Sequence, residues 1–174
     1  MIKVEETFKG KSGGYVKIHS KCDQNKKQQH ILVAQILANK GHKVELLPEI
    51  DYKDITERFL YFPEFGIDNR SNPDIRLNGT LGDFKIPDSN PILQKNVTDA
   101  ITSTAKKGVA ICVISLLGKT FARKEIFGGV RGALKQAKHN PSIKEVWLIF
   151  EDNVMIIPRG LASHNNFYKL AFSL

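Results

Sequence analysis

A short segment in the middle of the chain brings acidic and basic side chains together at the spacing of a β-hairpin. Asn78-Gly79 is a strong signal for a two-residue turn, because a type I′ turn needs positive φ at both positions. Residues that face each other across the hairpin share one face of it, as does every second residue along each strand. One face is therefore predicted to carry Asp74, Arg76, Asp83 and Lys85, and the other to be an apolar core face of Ile75, Leu77, Phe84 and Ile86.

The predicted polar face allows either chemistry or a simple ion pair. Asp74 and Asp83 are expected to lie opposite each other, and such a pair must bind a proton, recruit a cation or be neutralised by lysine or arginine. Gly82 lacks a side chain and would let a ligand approach the backbone closely. The alternative is a solvated hairpin face with an ion pair between Lys85 and Asp74.

The flanking elements predict an α+β fold, a single domain with a mixed, mostly antiparallel sheet in which this hairpin is central, packed against two or three helices. The periodicity predicts helices over 23–40, 91–107 and 123–139, with a helical turn near 55–59. Strands are predicted at 15–18, 43–47, 74–77, 80–86, 109–116, 144–150 and 154–157. We expect a domain over residues 1–157 and a short C-terminal tail over 158–174.

The charge distribution favours a polyanionic partner. The net charge is +8, and basic residues outnumber acidic ones by seven to three over residues 1–30 and by eleven to four over 101–174. A basic surface attracts nucleic acid through release of counterions. The two cysteines, Cys22 and Cys112, form no zinc motif, and no apolar run is long enough to cross a membrane, so a cytoplasmic protein is expected.

The segment Asn72-Pro73-Asp74-Ile75-Arg76-Leu77-Asn78-Gly79-Thr80-Leu81-Gly82-Asp83-Phe84-Lys85 resembles two nuclease families. The first is the C-terminal nuclease domain of CdiA-type contact-dependent growth-inhibition toxins, within the barnase, EndoU, colicin and RelE-like ribonucleases. The order of elements over residues 15–157 also resembles this group. The second is the PD-(D/E)xK superfamily, in which two acids hold a divalent metal beside a lysine.

The first resemblance implies metal-independent cleavage of RNA, with tRNA as the substrate and the 2′-hydroxyl attacking the adjacent phosphate. This reaction needs a base, an acid and cations that stabilise phosphate charge. The expected catalytic residues are Asp74, Asp83, Lys85, His19 and Lys17. The expected nucleic-acid-binding residues are Arg76, Lys26, Lys27, His30, Lys106 and Lys107. A toxin of this kind would have an immunity protein that covers the basic site with acidic residues.

Two alternatives stay open. A PD-(D/E)xK nuclease acting on DNA would use Asp74 and Asp83 as Mg²⁺ ligands, with Glu49 or Glu64 as a third oxygen donor. A nucleic-acid-binding accessory protein of a mobile element would keep the hairpin as a scaffold and would not catalyse a reaction. Chelation of metal separates the two nucleases, and salt-sensitive binding with no cleavage defines the third class.

Overall fold

A computed structural model describes residues 4–22, 27–65, 69–136 and 138–171. The contacts within the chain divide it into two compact units, Met1–Gly82 and Asp83–Leu174. Strand β5 crosses the boundary between them. The segment 158–174, which the sequence set apart as a tail, falls within the second unit.

The first unit is a mixed sheet with a long helix on its apolar face. Its elements are β1 (Val4–Lys9), β2 (Tyr15–His19), α1 (Lys27–Asn39), β3 (Lys43–Leu46), α2 (Ile55–Tyr61), β4 (Ile75–Leu77) and β5 (Thr80–Lys85). β2 and β3 are parallel and are joined through α1, whereas the β1–β2, β3–β4 and β4–β5 pairs are antiparallel. Buried residues of α1 and of the sheet form the core, among them Val33, Leu37, Val16, Val44 and Ile75.

The second unit combines two longer helices with a sheet. After β5 come α3 (Gln94–Lys106), β6 (Ile111–Ser115), α4 (Arg123–Leu134), β7 (Glu145–Phe150), β8 (Asn153–Pro158), α5 (Arg159–Ala162) and α6 (Phe167–Ala171). β6 and β7 are parallel, and β7 and β8 are antiparallel. All five residues of β6 are buried, as expected for a strand of continuous apolar sequence. The last helices contribute Ala162, Phe167 and Ala171 to the hydrophobic core of this unit.

The α+β class and the mixed, mostly antiparallel pairing predicted from sequence are confirmed. The Asn78-Gly79 turn has φ of 49° and 89°, and the pairs Leu77–Thr80, Arg76–Leu81 and Ile75–Gly82 have the predicted register. Strand β1 was not predicted. The predicted cap at Asp23 lies outside the described residues.

Two predicted helices are too long. The helix expected over 91–107 begins at Gln94, where the Asn96 side chain accepts a hydrogen bond from the Leu93 backbone N–H. The helix expected over 123–139 ends at Leu134. Beyond it the Asn140 side chain donates to the Ala133 carbonyl and the Arg159 guanidinium donates to the Leu134 carbonyl. These side chains satisfy carbonyls that a longer helix would have used.

Candidate functional site

A buried carboxylate and two lysines form a charged cluster in the second unit. Asp83, on β5, has a side chain that is 0% exposed. Its Oδ2 lies 2.7 Å from Nζ of Lys85, two residues along the strand, and its Oδ1 lies 2.5 Å from Nζ of Lys107, just after α3. The Thr104 hydroxyl lies 3.4 Å from Oδ2. Each carboxylate oxygen of Asp83 therefore faces a different ammonium group.

This cluster, Asp83–Lys85–Lys107, carries a net positive charge next to solvent. Both ammonium groups contact the buried Asp83 carboxylate, and because the lysine side chains are 22% and 26% exposed, a ligand in solvent can also reach them. Two lysines fixed by one buried carboxylate suit an anion such as phosphate, because the anion meets positive charge that needs little reorganisation. Lys106, on the last turn of α3, is exposed.

The thiol of Cys112 lies near the cluster and is uncharged. The Thr104 hydroxyl lies 3.3 Å from Sγ of Cys112, which is fully buried in β6. Burial raises the pKa of the Cys112 thiol to about 12, so the group stays a neutral thiol at physiological pH. Cys22, in the first unit, is also a buried free cysteine.

The sheet of the first unit presents a row of charged residues on one face. Lys17 of β2 is the register partner of Glu45 of β3, and Glu45 is the partner of Arg76 of β4. Because side chains alternate along strands, these three residues share the face opposite to the buried apolar residues of the same strands. All three are half-buried, and Nζ of Lys17 lies 4.8 Å from the centre of the Tyr15 ring.

His19 lies at the end of this row, on the same face of β2 as Lys17. It is only 4% exposed, its ring packs edge-on against Tyr61 at 5.2 Å, and its Nδ1 is buried with no hydrogen-bond partner among the described residues. Burial lowers the pKa of His19 below 6.5; the Glu45 charge opposes this effect, whereas Arg76 and Lys17 add to it. The imidazole is therefore neutral at pH 7 and able to accept a proton.

Arg76 is held by a set of acceptors on its own unit. Its guanidinium pairs with the Glu64 carboxylate and donates to the carbonyls of Tyr61 at 2.9 Å and Gly79 at 3.1 Å. The hydrogen bond from Arg76 lowers the pKa of Glu64. Arg76 thus ties the segment after α2 to the hairpin turn, and its two terminal nitrogens each already have two acceptors.

A small polar pocket of the first unit holds two further residues that the sequence singled out. It is lined by Cys22, His30, Leu46, Leu47, Glu49, Asn72, Pro73 and Asp74. Asp74 precedes β4 and is not part of the β4–β5 ladder; its carbonyl accepts from the Leu47 N–H at 3.0 Å. Asn72 is oriented by the buried Arg58, which donates to its Oδ1 at 2.8 Å.

The expected site residues are therefore distributed over three places. Lys17, His19 and Arg76 are together on the sheet face of the first unit, and His30 and Asp74 line its pocket. Asp83, Lys85 and Lys107 form the cluster of the second unit. Lys26 lies outside the described residues, and the structure describes only the backbone of Lys27, at the start of α1.

Two expectations about the hairpin need correction. Asp83 was predicted on a polar face, but its side chain is fully buried, and Leu81, the register partner of Arg76, is only 5% exposed. Lys85 pairs with Asp83, its neighbour along the strand, where the solvated alternative had it pairing with Asp74. Spacing along the hairpin gives the face of a side chain but not what packs over that face.

The residues that sequence reasoning missed are those whose partners are distant in the chain. Glu45 was placed in a strand without a role, and Lys107 was not connected to Asp83. Alternation over Lys43–Leu46 does place Glu45 on the polar side of its strand, so this residue could have been found. Nothing in the local sequence indicates that Lys107 reaches a residue 24 positions earlier.

The donor set around Asp83 is not that of a ready metal site. Lysine ammonium groups occupy both carboxylate oxygens, and among the residues that the structure describes no three His, Cys, Asp or Glu side chains are arranged to hold a metal ion. Glu49, His30 and Asp74 line one pocket of the first unit without forming such an arrangement. Within the described parts of the chain, no helix is long and apolar enough to cross a membrane.

Comparison with known proteins gives a fold but not a family. No family model and no curated protein matches the chain. A chain in the solved CdiA-CT/CdiI toxin and immunity complex from Burkholderia pseudomallei is similar, with 22% identity and a TM-score of 0.51. The match covers 80% of this chain and 91% of that one. At this identity the likeness shows that the two chains share a fold.

Proposed function

We propose that this chain is a toxin of the contact-dependent growth-inhibition type that acts as a ribonuclease on tRNA in the cytoplasm. The observation that carries the proposal is the Asp83–Lys85–Lys107 cluster, which presents two anchored ammonium groups to an anion. The hairpin that contains Asp83 and Lys85 resembles CdiA-type nuclease domains. The fold shared with a chain of a CdiA-CT/CdiI complex supports the same class of protein.

The proposed reaction is attack of a 2′-hydroxyl on the adjacent phosphate. A bond forms between the 2′-oxygen and phosphorus, and the bond from phosphorus to the 5′-oxygen breaks. Neutral His19 accepts the proton of the 2′-hydroxyl, and the Lys17 ammonium gives a proton to the leaving oxygen. Lys85 and Lys107 provide positive charge for the backbone phosphates of the RNA. The products are a 2′,3′-cyclic phosphate and a free 5′-hydroxyl.

Cleavage assays with purified tRNA test this function. The wild-type protein is expected to cleave tRNA in the presence of EDTA and to leave double-stranded DNA intact. Lys85→Met keeps the apolar stem and removes the charge, and the affinity for tRNA is expected to fall by roughly tenfold. His19→Gln is expected to lower kcat by about 10²–10⁴-fold. The matched control is Lys124→Met, because Lys124 is exposed on α4 and belongs neither to the Asp83–Lys85–Lys107 cluster nor to the charged row of the first unit.

The outcomes separate the alternatives. Circular dichroism of each variant excludes loss of the fold as the cause of lost activity. If Lys85→Met binds tRNA as tightly as the control variant, the assignment of the cluster is wrong. If the wild-type protein binds RNA in a salt-sensitive manner but cleaves neither RNA nor DNA, the chain is a binding protein and the proposed activity is wrong.

A second candidate function is a Mg²⁺-dependent PD-(D/E)xK nuclease, the other family that the hairpin resembles; two of its expected oxygen donors, Asp74 and Glu49, line one pocket. Asp74 and Glu49 would be two of the oxygen ligands, and the cation would supply positive charge beside the phosphate. The same assay tests this candidate with EDTA and added Mg²⁺. DNA cleavage that requires Mg²⁺ would support this candidate over the ribonuclease if it is also lost in Asp74→Asn. The control variant is Glu151→Gln, on the β7–β8 turn.

The proposed toxin would have an immunity protein as partner. With a net charge of +8, this chain suits an acidic protein that covers the lysine cluster. Binding of such a partner is expected to weaken with rising salt, because the exposed charges are screened.

A further inference from the structure

The charged row on the sheet of the first unit contains a carboxylate that the proposed reaction has not yet used. Glu45 lies in register between Lys17 and Arg76, on the face that also carries His19. Arg76 is paired with Glu64, and Nζ of Lys17 lies over the Tyr15 ring. Within the described parts of the chain, the Glu45 carboxylate forms no hydrogen bond or ion pair within the usual distance limits.

His19 supplies a second and independent observation at the same place. The side chain is almost completely buried, and its Nδ1 is without a hydrogen-bond partner among the described residues. Buried polar atoms are almost always satisfied, and an exception needs an explanation. An orphaned imidazole nitrogen beside an uncommitted carboxylate fits a group that gains and loses a proton while it works.

We infer that Glu45 is a positioning residue that stabilises the protonated form of His19 during cleavage, so that His19 serves as the base in RNA cleavage. This inference rests on the proposed function. A buried imidazole that accepts the 2′-hydroxyl proton becomes a cation in a poorly solvated place, and a carboxylate one strand away lowers the cost of that charge.

The charged groups around His19 determine whether loss of the Glu45 charge raises or lowers the pKa of His19. Three charged groups share its sheet face: Lys17 on its own strand, Glu45 on β3 and Arg76 on β4. Tyr61, at the end of α2, packs against the ring. The two cations and the burial lower the pKa of His19, and Glu45 is the group that raises it. Removing the charge of Glu45 must therefore lower that pKa further.

The experiment uses Glu45→Gln, which keeps the size of the side chain and removes its charge. The matched control is Glu145→Gln, a half-buried strand glutamate whose Oε2 accepts from the Trp147 indole at 2.8 Å. The first measurement is an NMR titration of the imidazole signals, with His19 identified as the signal missing from His19→Gln. The pKa of His19 is expected to fall by roughly one unit in Glu45→Gln and to stay unchanged in the control.

The second measurement is the pH–rate profile for cleavage of tRNA under single-turnover conditions. In Glu45→Gln the acidic limb is expected to move to lower pH by the same amount, and the plateau rate to fall by up to about tenfold. Affinity for an uncleavable RNA with 2′-deoxy substitutions is expected to stay equal or become tighter, because a negative charge has been removed. Glu45→Asp is expected to recover part of the rate.

Each result decides one question. An unchanged pKa of His19 in Glu45→Gln overturns the inference, as does a loss of rate with no movement of the acidic limb. A matched loss of affinity for the uncleavable RNA would make Glu45 a binding residue and also overturn it. If the wild-type protein cleaves no RNA at all, the proposed function fails, and the catalytic role of Glu45 fails with it.

Discussion

The two lysines of the Asp83–Lys85–Lys107 cluster are expected to stabilise the fold in a non-additive way. Both contact the same fully buried carboxylate, one on each oxygen. When either lysine is replaced, the other ammonium still compensates the charge of Asp83. When both are replaced, the carboxylate stays buried and has lost both ammonium groups. A buried charge that loses its ion-pair partners destabilises the fold strongly.

The magnitudes follow from the burial of each group. Lys85→Met or Lys107→Met alone removes one charge-assisted hydrogen bond, worth about 1–2 kcal/mol at a site where the lysine keeps some contact with water. The double variant breaks the buried pair entirely, at a cost of about 3–5 kcal/mol. The two single effects sum to about 2–4 kcal/mol, so the coupling energy is about 1 kcal/mol beyond that sum. Methionine preserves the apolar stem, so the loss reports the charge.

Urea unfolding followed by Trp147 fluorescence measures these energies. Trp147 is the single tryptophan, it is 4% exposed, and it lies on β7 of the same unit as the cluster. The control is the same pair of substitutions in an Asp83→Asn background, where no buried charge needs compensation and the coupling should vanish. If the effects of the two lysine substitutions add within about 0.5 kcal/mol in the wild-type background, the shared role of Asp83 is wrong.

Three further predictions concern the rest of the molecule. Burial lowers the pKa of both His19 and His42 below 6.5, so the unfolded chain binds more protons than the folded one near that pH. The free energy of unfolding, measured by urea titration, should therefore fall as pH drops from about 6.5 through the folded pKa values. This fall should be smaller in His19→Gln. Gly129→Ala on α4 should destabilise the fold by about 1–3 kcal/mol, because the new Cβ would lie 2.5 Å from Cβ of Val97. Gly132→Ala should be neutral or stabilising, because no atom lies closer than 3.8 Å to its new Cβ. Equal urea midpoints for the two variants would contradict this account of α3–α4 packing. Cys112, with a thiol pKa of about 12, should stay unmodified by iodoacetamide at pH 8 until the protein is unfolded, and mass spectrometry of the labelled peptide would reveal any exception.

The parts of the fold that follow from local sequence were predictable. The hairpin turn and the three residue pairs next to it were predicted correctly, because Asn78-Gly79 can adopt the positive φ of the turn and the turn then sets the register. The buried strand β6 followed from its apolar run. Strand β1 was missed, because a polar edge strand has no local signature and is formed by its pairing with β2.

For the candidate site, the sequence predicted residue types and strand faces but not which side chains meet. Lys17 and His19 were expected on one strand face and are found there, because alternation is a local property. The expected opposition of Asp74 and Asp83 depended on how far the ladder runs, and the β4–β5 pairing ends at Ile75–Gly82. The carbonyl of Asp74 instead accepts from Leu47, a residue far away in the sequence.

By itself, then, the amino-acid sequence determined the hairpin, the faces of its strands, the basic character of the chain and the residue types available for phosphate chemistry. These depend on backbone preferences, side-chain alternation and composition, which act over a few residues. Only the tertiary structure decided that Lys107 shares Asp83 with Lys85, and that Glu45 stands between Lys17 and Arg76. Strand order and helix docking bring these groups together, and both depend on burial summed over a whole unit rather than on any short segment.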